Sequence, residues 1–250
     1  MEESPLHPFE LHNYLPIFLG GLDISINKAV IMMWVVVATV TVLMLMAGSA
    51  RQLVPGKLQN LAEILVDFIR GMILDTMGKD GMRFFPFIAT LFLFILFCNW
   101  LGLIPGTYTV TSQIIVTGVF AGFVYTMSII LGFALHGVKF FGILVPAGTP
   151  GWMLPLMIPI ELISQLARPV SLAVRLFANM TAGHTILAVL FGMVVSLPLY
   201  IGILPFGATL FVNGLEAALI APIQAYIFTI LTCVYLGDAV TLHGHSEHGH

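Results

Sequence analysis

Apolar residues in this chain gather into long runs separated by short polar breaks. A helix needs about 20 apolar residues to cross the hydrocarbon core of a bilayer. Five runs meet that length: residues 29–47, 84–104, 113–135, 154–195 and 199–236. Pro105 and Gly106 close the second. The last two are about twice the length a crossing needs, which predicts a long, tilted helical hairpin turned near "SLPLY", residues 196–200. Pro198 and Pro205 make the start of its second arm irregular.

Residues 57–78 follow a different pattern. Leu58, Leu61, Ile64, Leu65, Phe68, Ile69 and Met72 recur at helical spacing, with Glu63, Asp67 and Arg70 mostly on the other side. This predicts an amphipathic helix lying at the membrane interface, too charged to span. The expected fold class is therefore an all-α integral membrane protein in one domain. It has about five membrane segments, one interfacial helix and a C-terminal hairpin. Residues 1–28 precede the first span and residues 237–250 form a tail. The pattern does not decide whether the first 26 residues form a small interfacial helix.

Composition agrees with this pattern. Apolar residues make up 59% of the chain and charged residues 8%, against about 25% charged in soluble domains. A net charge of -3 without a basic tract argues against a nucleic-acid partner. Cys98 and Cys233 both fall inside apolar runs and read as reduced packing or lipid-facing residues, with no disulfide or metal framework. The N-terminus lacks the basic n-region and small-residue cleavage site of a signal peptide. Arg51, Lys57, Arg70, Lys79 and Arg83 all lie between the first two spans, and Lys139 follows the third. With five spans these loops share one side, which the positive-inside rule makes cytoplasmic. The N-terminus is then outside and "HGHSEHGH" inside, as a solvated polar tail rather than a metal site.

A charged side chain at the bilayer centre costs at least about 2.5–3.5 kcal/mol on insertion scales. The fourth run nevertheless carries Glu161, Ser164, Gln165, Arg168, Ser171, Arg175 and Asn179, at spacings of 3, 1, 3, 3, 4 and 4. On a helix that is one polar stripe. Interhelical hydrogen bonding accounts for Ser and Asn, but not for Arg175. A guanidinium cannot shed its proton, and no acid lies three or four residues away. Its anion must come from elsewhere. His184, nine residues on, points about half a turn away from Arg175. Its natural neighbour is the fifth run, which carries Asn213, Glu216 and Gln224. Asn213 and Glu216 share a face. Gln224 is eight residues past Glu216, about 80° off on an ideal helix, with Pro222 between them to shift the register. A His–Glu pair across two helices either locks the hairpin or passes protons at ordinary pH. Asn99 reads as a helix-end hydrogen bond, His136 as interfacial and Lys28 as snorkelling.

"PVSLAVRLFANMTAGH", followed some forty residues later by "QAYIFTILTCVYL", closely resembles subunit a of F-type ATP synthases. "FPFIATLFLFILFCNWLGLIPG" and "HPFELH" are similar to that family too, so the resemblance covers most of the chain. It implies a non-catalytic stator without a cofactor, which cups a rotating c-ring of small hairpin subunits. It also implies peripheral-stalk b subunits and other synthase subunits as partners within the lipid of an energy-transducing bacterial membrane. In that family the arginine matching Arg175 faces the ring carboxylates and keeps two aqueous half-channels apart. Glu216 and His184 match positions of the outer half-channel. Gln224 matches the glutamine near the arginine, and Asn179 the asparagine just after it. Glu161, Arg168 and Ser171 match positions of the inner half-channel or its support, while Asn213 joins the outer set through its own spacing from Glu216. One departure stands out: the family's acid sits seven residues before the glutamine, whereas Glu216 sits eight before Gln224.

The alternative of a stand-alone ion or proton transporter requires a complete intramembrane site within one chain, often built on internal repeats. Neither an internal counter-ion for Arg175 nor a repeat is evident. An intramembrane enzyme or haem protein lacks its motifs, since His184 is the sole mid-span histidine. His184 and Glu216 favour protons over sodium as the coupling ion.

Overall fold

The computed structural model of the chain describes residues 13–15, 18–19, 22–23, 25–49, 56–104, 107, 109–137, 140, 142 and 151–240. The "HPFELH" stretch, Arg51, Lys139 and the histidine-rich tail lie outside the described residues.

The protein is an all-α membrane bundle with a small β structure ahead of its first long helix. Strand β1 (Asn13–Leu15) pairs antiparallel with β4 (Ile26–Asn27), and β2 (Phe18–Leu19) with β3 (Leu22–Asp23). Helix α1 (Lys28–Ser49) follows directly. Asn27 caps it, the Val30 N–H donating to Asn27 Oδ1 at 3.1 Å. Helix α2 is Lys57–Met77. Its apolar stripe divides: Ile69, Met72, Ile73 and Met77 are buried in the bundle, while Leu61, Ile64 and Phe68 remain exposed. Gly78 stops α2 at a positive φ of 68°, its N–H returning to the Leu74 carbonyl. Helices α3 (Phe85–Gly102) and α4 (Ile114–His136) come next.

Helix α5 (Leu154–Ser196) has 43 residues. At 1.5 Å per residue it is about 65 Å long, roughly twice the hydrocarbon thickness, so it crosses at a strong tilt. A turn at Leu197 and Pro198 reverses the chain, and the Ile201 and Gly202 N–H groups donate to the Pro198 carbonyl. The return arm comprises α6 (Leu199–Leu215), a π-helical turn (Glu216–Ile220) and α7 (Ala221–Val240). Five helical stretches are long and apolar enough to cross a membrane: Lys28–Gly48, Lys79–Gly102, Ile114–His136, Leu154–Ser196 and Tyr200–Val240. The protein is thus a multi-pass membrane protein.

Helices α3 and α7 form the centre, with α2 and α4 packed on them and α5 lying against α4 and α6. In lipid the drive for helix association comes from close packing rather than the hydrophobic effect, which favours small residues at contacts. The buried face of α4 fits this: Thr117, Ala121, Val124, Ser128 and Gly132 follow at spacings of 4, 3, 4 and 4. The Phe140 ring fills the space a Cβ on Gly132 would take. Ser128 Oγ donates to the Tyr235 carbonyl at 3.1 Å, joining α4 to α7. His136 ends α4 with Nε2 at 3.2 Å from the Val240 carbonyl. Cys98 and Cys233 are free and buried. Asn99 does more than cap a helix end. It is fully buried at 0% exposure, accepts from Thr111 Oγ1 at 2.9 Å and donates to the Ala221 carbonyl at 3.5 Å. One amide thereby joins α3, the α3–α4 connection and α7.

Asn99→Ala strands the buried Thr111 hydroxyl. An unsatisfied buried donor costs about 1–3 kcal/mol, so thermal unfolding in detergent should show the variant destabilised by that amount.

Candidate functional site

The face that α5 packs against its neighbours is Pro169, Leu172, Ala173, Leu176, Met180 and Gly183. Arg168, Ser171, Arg175 and Asn179 lie off that face and are exposed. Glu161, Ser164 and Gln165 are half-buried. The polar stripe is therefore two sets: an outward-facing stretch centred on Arg175, and an inward-turned one at the start of the helix. Among the described residues Arg175 has no hydrogen bond and no ion pair. Arg168 is seven residues before it and His184 nine after, about 10 Å and 13 Å along the axis.

One polar cluster gathers around Arg168. Arg168 Nη1 lies 3.9 Å from Asp238 Oδ2, with both side chains well exposed. A pair so open and so long contributes little to stability. Gln165 Nε2 donates to Glu161 Oε1 at 3.0 Å. Beside them is a cavity of about 150 Å³, room for several waters. Gln165 reaches it from α5, Asp238 and Tyr235 from α7, and Tyr125 and Ser128 from α4. The Tyr235 hydroxyl is buried and has no partner among the described residues. Asp238 escapes a reading that ends the fifth run at Leu236, because α7 continues to Val240. A lone acid just past an apolar run was the available signal.

The second cluster lies at the other end of the bundle, where α3 ends and α4 begins. His184 Nε2 is 2.6 Å from Thr109 Oγ1, and the Thr109 hydroxyl also lies 3.2 Å from the Gly102 carbonyl. With one proton, the hydroxyl donates to Gly102 while accepting from Nε2–H, or it donates to an unprotonated Nε2. Gly102 is needed for this approach, since a Cβ there would meet the Thr109 side chain. The observed partner of His184 is thus Thr109 rather than Glu216. Sequence reasoning missed Thr109, whose only signal is the hydroxyl-rich "TYTVTS" after Pro105-Gly106.

Glu216 is buried, 6% exposed, and its carboxyl lies against Gly183, the residue before His184. A side chain at Gly183 would occupy the carboxyl's place. Gln224 is equally buried at 6%. The π-turn brings the two together. In it the Ala221 N–H bonds to the Glu216 carbonyl rather than to that of Ala217. A π-turn takes up one extra residue. Eight residues then turn the chain nearly as seven do in a regular helix, about 20° short of whole turns instead of about 80° past them. The extra residue between Glu216 and Gln224 therefore leaves both on the same side of the helix. Asn213, one turn earlier, is half-buried and lines a pocket of about 480 Å³ with Trp100, Leu103, Ile104, Ala217 and Ala218. Asn213 Oδ1 and Thr181 Oγ1 are buried without partners among the described residues.

Residues 30–237 match the family model described as ATP synthase A chain. The chain is similar to ATP synthase subunit a of Magnetococcus marinus, with 47% identity over 244 residues that cover 96% of this chain and 94% of that protein. The corresponding subunit of Rhodospirillum rubrum is 45% identical over 240 residues, covering 96% and 99%. That of Pelagibacter ubique is 44% identical over 244 residues, covering 97% and 100%.

Gly183→Ala should expel the Glu216 side chain from its place and destabilise the protein by about 1–3 kcal/mol, the usual cost of overpacking. Gly192→Ala is the control, because nothing lies within 4 Å of a Cβ there. It should be neutral or gain up to about 1 kcal/mol of helix propensity. Thermal melts of the two variants test the difference.

Proposed function

The chain belongs to the ATP synthase A chain family, and on that premise we propose that it is the proton-translocating stator of a rotary F-type ATP synthase. It offers the c-ring carboxylates two aqueous half-channels, kept apart by Arg175. The observation that carries this reading is Arg175 itself: an exposed guanidinium on a membrane-crossing helix, with no anion partner among the described residues. Such a charge cannot be neutralised by deprotonation, and the bilayer penalises it unless it is paired. A carboxylate arriving on a second protein supplies the pair.

The two polar clusters on either side of Arg175 support two separate water paths. The outer path comprises His184, Glu216, Asn213, Gln224 and Asn179, with Thr109 holding His184. Its orphaned oxygens, Thr181 Oγ1 and Asn213 Oδ1, lie where water or a relayed proton would satisfy them. The inner path comprises Glu161, Arg168 and Ser171, joined by Asp238 and the cavity beside it. The positive-inside rule places the loop carrying Lys57, Arg70, Lys79 and Arg83 in the cytoplasm. His136 and Asp238 lie at that end, and His184 at the outer one.

A ring carboxylate in contact with lipid must be neutral, and one passing Arg175 must be ionised. A proton entering from the outer path neutralises the carboxylate, which then travels round with the ring through lipid. On reaching the inner path it releases the proton and can pass Arg175 as an anion. Each charge that crosses yields about 2.3 kcal/mol per 100 mV. Arg175 stops a protonated site from slipping directly between the paths. The subunit catalyses no bond change itself. Peripheral-stalk b subunits, other synthase subunits and lipid cover its remaining apolar faces.

In inverted bacterial membrane vesicles carrying the whole complex, Arg175→Ala should abolish ATP-driven acidification while assembly stays intact. Full acidification by that variant would overturn the assignment. Ser171→Cys and Ala178→Cys, both on the exposed side of α5, should form crosslinks to ring subunits under oxidation when paired with a cysteine on the ring helix. His184→Cys should not, and the reverse pattern would place the ring on another face.

A further inference from the structure

The π-turn creates a local difficulty in hydrogen bonding. With the Ala221 N–H committed to the Glu216 carbonyl, the Ala217 carbonyl loses its regular donor. The next candidate, five residues on, is Pro222, which has no N–H. A regular α-helix would return Ala221 N–H to Ala217 and leave the Ala218 carbonyl facing Pro222 instead. Pro222 removes a backbone donor in either arrangement, and Ala217 is the carbonyl that loses its donor only in the π-turn. The choice matters, because the regular helix would rotate Glu216 about 80° from Gln224.

Trp100 decides it. Its indole Nε1–H donates to the Ala217 carbonyl at 2.9 Å, the carbonyl orphaned by the π-turn and not by the regular helix. The ring is held edge-on to Phe97, with centroids 5.6 Å apart at 72°. Its neighbour Asn99 donates to the Ala221 carbonyl at the far end of the same turn. Unpaired carbonyls are most costly inside a bilayer, so one donor there carries weight. We propose that Trp100 is a positioning residue for Glu216: its N–H selects the π-turn that keeps the carboxyl on the Gln224 side and against Gly183. The inference rests on the reading of Glu216 as a proton carrier of the outer path.

The test measures ATP-driven acidification by the whole complex in inverted vesicles, at matched subunit content. Trp100→Phe keeps the aromatic ring and removes the donor. It should lower flux roughly three- to tenfold, the factor that one net hydrogen bond corresponds to. Deleting Leu219 restores a seven-residue spacing between Glu216 and Gln224, so a regular helix there is in register without a π-turn. In that background Pro222 stands four residues after Ala217, so Trp100→Phe loses the same hydrogen bond, but with no register left to select its cost in flux should be small. Equal losses in both backgrounds mean that the indole acts as bulk or only as donor to a carbonyl that Pro222 leaves open, which overturns the proposal. Glu216→Gln separates the two readings. If it slows pumping and Trp100→Phe does not, the role of Trp100 fails alone; if it pumps at full rate, the reading of Glu216 fails first. Should the deletion prevent assembly, the structure of the Trp100→Phe complex by electron cryomicroscopy decides. Return of the Ala221 N–H to Ala217 supports the proposal, and an intact π-turn overturns it.

Discussion

An arginine inside a bilayer keeps its charge, and the charge has to be answered by an anion. In this chain Arg175 stands exposed on α5 without one among the described residues, and the rest of the architecture can be understood around that constraint. A single 43-residue helix carries it, long enough to present Arg175 with a polar cluster about two to two and a half turns beyond it on each side along the axis. The helix buries its other face against α4 and α6 through Leu172, Ala173, Leu176 and Gly183. A partner that brings and removes a carboxylate fits this arrangement. A permanent internal pair does not, because it would hold the charge and end its use.

The same low-dielectric surroundings govern the backbone. In water the Ala217 carbonyl could turn to solvent; within a membrane span it needs a donor. Pro222 removes the backbone donor, the π-turn decides which carbonyl is left over, and Trp100 supplies the replacement at 2.9 Å. The acid and the glutamine of the return arm are thereby buried on one side despite an extra residue between them. Close packing then fixes where the acid goes. Gly183 leaves room for the Glu216 carboxyl, and Gly102 leaves room for the Thr109 hydroxyl that meets His184. These small residues bring polar groups from different helices within reach while the surrounding contacts stay tight.

The long helices, the hairpin and the charges set within the apolar runs were legible in the sequence because their causes are local. A run of about 20 apolar residues leaves its backbone no partner but its own helix. A charge within such a run stands out by its cost, as Arg175, Glu216 and His184 did. Asp238 was concealed only by a boundary drawn at Leu236, two residues short of it. The short strands at residues 13–27 were not legible, since pairs of two or three residues depend on partners brought back by a turn rather than on periodicity.

What the tertiary structure alone decided was which groups meet. Sequence spacing places His184 and Glu216 on facing helices, but the choice of Thr109 as partner for His184 depends on how the α3–α4 connection folds over Gly102. The spacing of eight between Glu216 and Gln224 allowed either a shifted acid or a compensating bulge. Settling it required the donor on Trp100, 117 residues away from Ala217 along the chain. The sequence determined which residues the membrane would penalise, because that cost belongs to each residue. Contacts across helices determined how each penalty is relieved, because hydrogen bonds and close packing are properties of pairs.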